Sequence, residues 1–195
     1  MNFNILPEGE VDALVAIRLL KETGHAPAMI FPANGASYVA KKLQAFSRLG
    51  PLFALTDLRD HAKDKECAGM VARRLLNVSV DHPVLVRFSV RELESWFLAD
   101  AVNISCYLRL SRTVIPNFPD EIEYPKAELV KLAKRSSRKA VRLGLAPRET
   151  APSATAGPEY KPMMAEFIRD HWDLRKAAMN SPSLQRCIRR LEEIR

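Results

Sequence analysis

The residues with the clearest capacity for chemistry in this sequence are carboxylates that follow short apolar runs. Glu8 comes after the run that opens with Phe3 and Ile5, Asp57 and Asp60 after Leu52 to Leu55, and Glu92 and Glu94 after Val84 to Phe88. Carboxylate clusters hold hard cations such as magnesium, which take oxygen ligands. In a parallel α/β sheet, loops and helix N-termini converge beyond the carboxyl ends of the strands, and ligands bind there. Each acid also has an ordinary reading. Glu8 suits a turn beside Gly9, and Asp57 or Asp60 suits a helix cap. Their coincidence at three strand ends favours a common site. Glu92 and Glu94, two residues apart on an expected helix, point to nearly opposite sides. Glu92 lies three residues after Ser89, in capping-box position, which leaves Glu94 as the metal-ligand candidate. Asp100, near the end of that helix, is an outside candidate.

A second chemical signal is positive charge. Between Lys126 and Arg148 lie Lys126, Lys131, Lys134, Arg135, Arg138, Lys139, Arg142 and Arg148, against the single acid Glu128. Arg135, Arg138 and Arg142 recur at spacings of three and four, which predicts one helix face able to track phosphates, with Lys126 as a further contact. A solvated helix face is the plainer alternative, but such faces more often interleave acids. Tyr160 reads as a packed loop anchor rather than a nucleophile, a helix covering the sheet is expected to bury at least one of Trp96 and Phe97, and Trp172 reads as core.

The elements that must position these groups follow from the pattern. Apolar runs at Phe3 and Ile5, Ala28 to Phe31, Leu52 to Leu55 and Val84 to Phe88 predict four strands. Between them, helical spacing appears to Gly24, from about Ser37 to Phe46, and to about Leu76. Strands alternating with helices predict an α/β fold, a mostly parallel sheet flanked by helices. A helix capped by Ser89 is expected through Leu98. The core is expected to span 1–110, and a basic, mainly helical extension 111–195. Within that extension, 148–162 reads as an irregular loop, Met163 to Trp172 as a helix, and Ser181-Pro182 as the start of the last helix, with an apolar stripe at Leu184, Ile188, Leu191 and Ile194.

Composition narrows the classes. The chain has 195 residues, 47% of them hydrophobic, which is enough for a packed core, and a formal net charge of +7, which favours polyanionic partners. The three cysteines, Cys67, Cys106 and Cys187, show no C-x-x-C spacing, and the four histidines are scattered, so neither a disulfide framework nor a zinc cage is signalled. A reducing cytoplasm is expected. The start MNFNILPEGEVD has no positive segment leading into an apolar one, and no apolar run approaches membrane-spanning length, so neither secretion nor membrane insertion is expected. The absence of G-x-x-x-x-G-K-[ST] and G-x-G-x-x-G stretches argues against a nucleotide enzyme.

The stretch Glu8-Gly9-Glu10-Val11-Asp12-Ala13-Leu14 resembles the E-G-x-x-D-x-L opening of Toprim domains, found in primases, topoisomerases and the overcoming-lysogenization-defect nucleases. Asp57-Leu58-Arg59-Asp60 sits where that fold carries D-x-D, with the second aspartate one residue later. Arg91-Glu92-Leu93-Glu94-Ser95-Trp96-Phe97-Leu98-Ala99-Asp100 is similar to the R-E-x-E-x-W-x-x-A-D stretch of a Toprim-like family of unknown function. That likeness continues through Tyr124 to Leu129, Arg135 to Lys139, Gly157 to Tyr160 and Ser181 to Leu184. The resemblance implies a Toprim-like sheet and a metal-dependent nuclease acting on DNA or RNA. It assigns Glu8, Asp57 and Glu94 to catalysis, and these three with Asp60 to magnesium or manganese. It also implies an ATPase partner in anti-phage defence. The alternative is a catalytically weak Toprim scaffold that docks nucleic acid or an ATPase, a reading the altered D-x-D spacing supports.

Overall fold

A computed structural model describes residues 1–63, 66–148, 150–151 and 153–194. In chain order the first elements are β1 (Asn2–Pro7), α1 (Glu10–Glu22), β2 (Ala26–Ile30), α2 (Ala36–Phe46), β3 (Leu52–Asp57), a 3-10 turn (Leu58–Asp60), α3 (Ala68–Leu75) and β4 (Val84–Ser89). There follow α4 (Glu94–Leu98), α5 (Ala101–Leu108), α6 (Pro125–Lys134), α7 (Lys139–Leu145), α8 (Tyr160–Glu166), a π turn (Phe167–His171), α9 (Leu174–Asn180) and α10 (Pro182–Glu192).

The four strands form one parallel sheet in the order β2-β1-β3-β4. The sequence pattern explains it: Leu52, Phe53, Ala54 and Leu55 form an unbroken apolar run, each 0% exposed, as a strand covered on both faces requires. On one face Leu6, Leu52, Ala54, Val86 and Phe88 pack with Val39 and Leu43 of α2 and Val71 and Leu75 of α3. Strand alternation sends Ile5, Phe53 and Leu85 to the opposite face. The chain steps from β1 to β2 on one side, then crosses to β3 on the other. The order therefore reverses between β1 and β3, and in parallel α/β sheets ligands bind beyond the carboxyl ends at such a reversal.

Two compact units result, Met1–Val90 with Ser183–Arg195, and Arg91–Pro182. The division falls after Val90 rather than near Leu110, and the last helix joins the sheet-bearing unit instead of the basic extension. Packing explains both differences. All five residues of α4 are buried, and Phe97 lies edge-on to Phe167 and Trp172 in the second unit. The stripe of α10 buries Leu184, Cys187, Ile188 and Leu191, and the Leu191 carbonyl meets His25 Nε2 at 2.9 Å. The second unit also contains α9, a helix the sequence pattern did not reveal, capped where Asp173 accepts from the Lys176 amide at 3.0 Å.

The region expected as an irregular loop, 148–162, includes positions 149 and 152, which lie outside the described residues. Its far end is tied down. The Gly157 amide donates to the Leu145 carbonyl at 2.8 Å, and a Cβ at Gly157 would come within 2.2 Å of the Gly144 carbonyl. Among the described residues no helix is long and apolar enough to cross a membrane.

Candidate functional site

Glu8 leaves β1 at the sheet's reversal point and is clamped by its own backbone. Its amide continues the ladder to the Leu55 carbonyl at 3.1 Å, and its carbonyl accepts from the Gly35 amide at 2.9 Å. Gly35 enters α2 at φ +80°, a conformation that favours glycine. Gly9 then starts α1, its amide donating to the Asp12 carboxylate at 3.1 Å. Within the E-G-x-x-D stretch, therefore, Gly9 and Asp12 build the helix start and Glu8 is left for chemistry.

Glu8, Asp57 and Asp60 converge: each offers a carboxylate oxygen, and these oxygens all lie within 4.8 Å of one another. Neighbouring groups orient them. Thr56 donates its hydroxyl to Glu8 Oε2, and the Asp57 amide donates to the same oxygen at 3.1 Å. Ser89, at the end of β4, donates its hydroxyl to Asp57 Oδ1. The single Thr56 proton is committed to Glu8, so His61 Nε2, 2.7 Å away, must be the donor to the Thr56 oxygen. Asp60 has Arg59 Nε at 3.5 Å, with both side chains about one-third exposed.

His61 is held in place from α3. Arg74 donates to the His61 carbonyl at 2.6 Å and to both oxygens of Glu66, drawing the Glu66 carboxyl down to about 2. Burial lowers the His61 pKa below 6.5, although Glu8 and Asp60 pull it upward. Three carboxylates this close repel one another, and an all-oxygen donor set suits a hard divalent cation, which would relieve that repulsion.

The sequence pattern indicated Glu8, Asp57 and Asp60 but missed Thr56, Ser89 and His61. Ser89 was expected as a helix cap; instead it is 0% exposed, ends β4 and serves Asp57. The only available signal was position, since Thr56 and Ser89 are polar residues ending apolar strands. His61 returns through a 3-10 turn that leaves no periodic trace.

Glu94 belongs to the other unit and has partners of its own. It is 7% exposed, accepts from the Tyr160 hydroxyl at 2.5 Å, and has Lys126 Nζ at 3.8 Å. Lys126 Nζ also sits over the Tyr160 ring, 4.7 Å from its centroid. Burial pushes the Glu94 carboxyl up, while Lys126 and Tyr160 partly offset the shift. Glu92 forms no capping box with Ser89; its carboxylate accepts the Lys126 amide at 2.8 Å in the first turn of α6. Asp100 caps α5 through the Asn103 amide at 3.3 Å and accepts from the Asp173 amide at 2.8 Å. Tyr160 is an anchor, placed in the first turn of α8.

The expected arginine ridge is not formed. Arg135 ends α6 and Arg138 precedes α7, because the buried Ser136 accepts the Arg138 amide on its hydroxyl at 3.1 Å, a local bond that competes with continued helix. Arg142 donates to the Ser136 carbonyl at 2.6 Å, and the Arg138 guanidinium lies 5.9 Å from the Tyr107 ring centroid. Arg135 is exposed.

No protein-family model, curated protein or solved structure matches the chain.

Proposed function

We propose that the sheet-bearing unit holds a divalent cation, magnesium or manganese, at Glu8, Asp57 and Asp60, and that the protein cleaves phosphodiester bonds of DNA or RNA there. The observation that carries this reading is the convergence of the three carboxylates within 4.8 Å at the point where the strand order reverses. The resemblance to Toprim domains supports it, since their glutamate and aspartate pair correspond to Glu8 after β1, to Asp57 at the end of β3 and to Asp60 in the turn that follows. The net charge of +7 suits a polyanionic substrate.

When bound, the cation would polarise the scissile phosphate and stabilise the leaving oxygen. The remaining work falls to the chain. Thr56 and the Asp57 amide fix Glu8 Oε2, which restricts the orientation in which Glu8 can exchange a proton with an attacking or leaving oxygen. Ser89 fixes Asp57 Oδ1, and His61, donating to the Thr56 oxygen, keeps the Thr56 hydroxyl pointed at Glu8. Glu94 takes the part of a buried positioning acid for Tyr160 and Lys126. Arg135, exposed at the end of α6, remains a candidate phosphate contact.

Calorimetric titration of magnesium and of manganese into the protein and into Asp57→Asn, followed by incubation of both with plasmid and tRNA, tests the reading. Binding and metal-dependent cutting by the unsubstituted protein, both lost in Asp57→Asn, are expected. Absence of metal binding in both proteins overturns it. It would leave the second reading, a catalytically weak scaffold that docks nucleic acid or an ATPase, which the Asp60–Arg59 contact at 3.5 Å favours.

A further inference from the structure

The sheet ends at β4, which pairs with β3 and with no other strand among the described residues. Its open side has a definite pattern. Leu52 donates to the Pro83 carbonyl at 3.0 Å, so parallel alternation turns Leu85 and Arg87 toward β3 and turns the amides and carbonyls of Val84, Val86 and Phe88 outward. Along this edge runs a groove of about 770 Å³, walled by α3 on one side and α10 on the other.

The lining is unusual in charge. Arg73 of α3, Arg87 of β4, and Arg186 and Arg190 of α10 all border the groove, and no acidic side chain does among the described residues. Arg73 and Arg186 are exposed, Arg87 is half-buried, and Arg87 Nε is a buried donor with no hydrogen-bond partner. A buried guanidinium N–H without an acceptor is costly, and a carboxylate satisfies it better than a neutral group. Arg190 pairs with Glu193 at 2.7 Å, and the Glu193 charge also acts on Arg87. Between the arginines the surface is mainly apolar, formed by Ala72, Leu76, Val84 and Val86.

We propose that this groove binds an extended acidic peptide segment of a partner protein, which adds to β4 as a fifth strand. An edge strand with outward amides and carbonyls pairs with extended backbone, alternate side chains then meet the apolar walls, and carboxylates on the peptide meet the arginines. A single-stranded nucleic acid would answer only the charge. It cannot use the strand edge, and the groove offers one aromatic residue, Phe88, itself 7% exposed, where base stacking needs open ring faces. The proposal is independent of the carboxylate centre at Glu8, Asp57 and Asp60.

The test uses the full chain in EDTA, so that the carboxylate centre plays no part. The probes are a fluorescein-labelled peptide of alternating valine and glutamate, hexaglutamate, and oligothymidylate, with anisotropy as the readout. The alternating peptide is expected to bind most tightly, to protect the Val86 and Phe88 amides from hydrogen exchange, and to bind about tenfold or more weakly to the double variant Arg73→Glu, Arg186→Glu. Both substitutions are at exposed positions, and an unchanged melting temperature confirms the fold. Three results overturn the proposal: no peptide binding, peptide binding that the double variant leaves unaltered, or oligothymidylate binding lost in the double variant without any peptide-induced protection of β4.

Discussion

The two units each gather carboxylates, and they treat them in opposite ways. At Glu8, Asp57 and Asp60 the bonds that orient Glu8 and Asp57 come from Thr56, Ser89 and a backbone amide, which are neutral donors that fix direction without cancelling charge. At Glu94 the bonds come from a tyrosine hydroxyl and a lysine, and the acid is shut away at 7% exposure. Carboxylates gathered together and oriented by neutral donors suit an added cation. Negative charge matched by an internal cation is an arrangement for holding elements together. Residue type alone does not distinguish them; the donors around the acid do.

The largest expected effect comes from dismantling the first arrangement. Glu8→Gln or Asp57→Asn removes one charge and keeps the shape, so metal affinity measured by calorimetry should collapse and any metal-dependent cleavage should fall by about a hundredfold or more. The melting temperature should hold or rise, because fewer like charges crowd together. If either variant cleaved normally, the contrast between the centres would lose its meaning.

The second arrangement should respond in stability instead. Lys126→Met removes the cation beside a buried carboxylate. Breaking such a pair costs about 3–5 kcal/mol when fully buried, and about 2–3 kcal/mol is expected here because Lys126 is 34% exposed. Tyr160→Phe deletes a hydrogen bond to the same acid and should cost about 1.5–3 kcal/mol. Chemical denaturation reads both, and metal binding at Glu8 and Asp57 should be unmoved. Loss of metal binding in Tyr160→Phe would show that the two centres are not separate.

Much of the first centre was legible because the sheet is parallel. Leu52 to Leu55 is an unbroken apolar run that reads as a strand covered on both faces, and Glu8, Asp57 and Asp60, which follow β1 or close and follow β3, had to lie at one end of a parallel sheet. What was not legible depends on partners distant in sequence. The stripe Leu184, Ile188 and Leu191 predicted an amphipathic α10 but not that it packs with the first unit. Ser89 and Glu92 had capping-box spacing, yet Ser89 found Asp57, 32 residues earlier, and Glu92 found the Lys126 amide, 34 residues later. The spacing of Arg135, Arg138 and Arg142 fitted a helix that Ser136 interrupts.

The pH dependence of stability sharpens the comparison further, because the two centres should respond with opposite signs. Burial raises the Glu94 pKa above 4.5, so the stability associated with its protonated form is fully present below that value and is lost as pH rises through the folded pKa. Glu94→Gln should therefore match the unsubstituted protein near pH 4 and gain on it as pH rises toward neutrality.

His61 is the smaller and reverse case. Burial lowers its pKa below 6.5, so the stability it contributes is present above 6.5 and declines as pH falls toward the folded pKa. Glu8 and Asp60 act against that shift, so the decline should be shallow, and it should steepen in Glu8→Gln, which removes one of the two charges favouring the imidazolium. Melting temperatures between about pH 5 and 7.5 for the unsubstituted protein, His61→Gln and Glu8→Gln measure this. Loss of that acid-side decline in His61→Gln and a steeper one in Glu8→Gln would establish that His61, Thr56 and Glu8 act as one chain. Identical profiles in all three would mean that the link from His61 through Thr56 carries no energy.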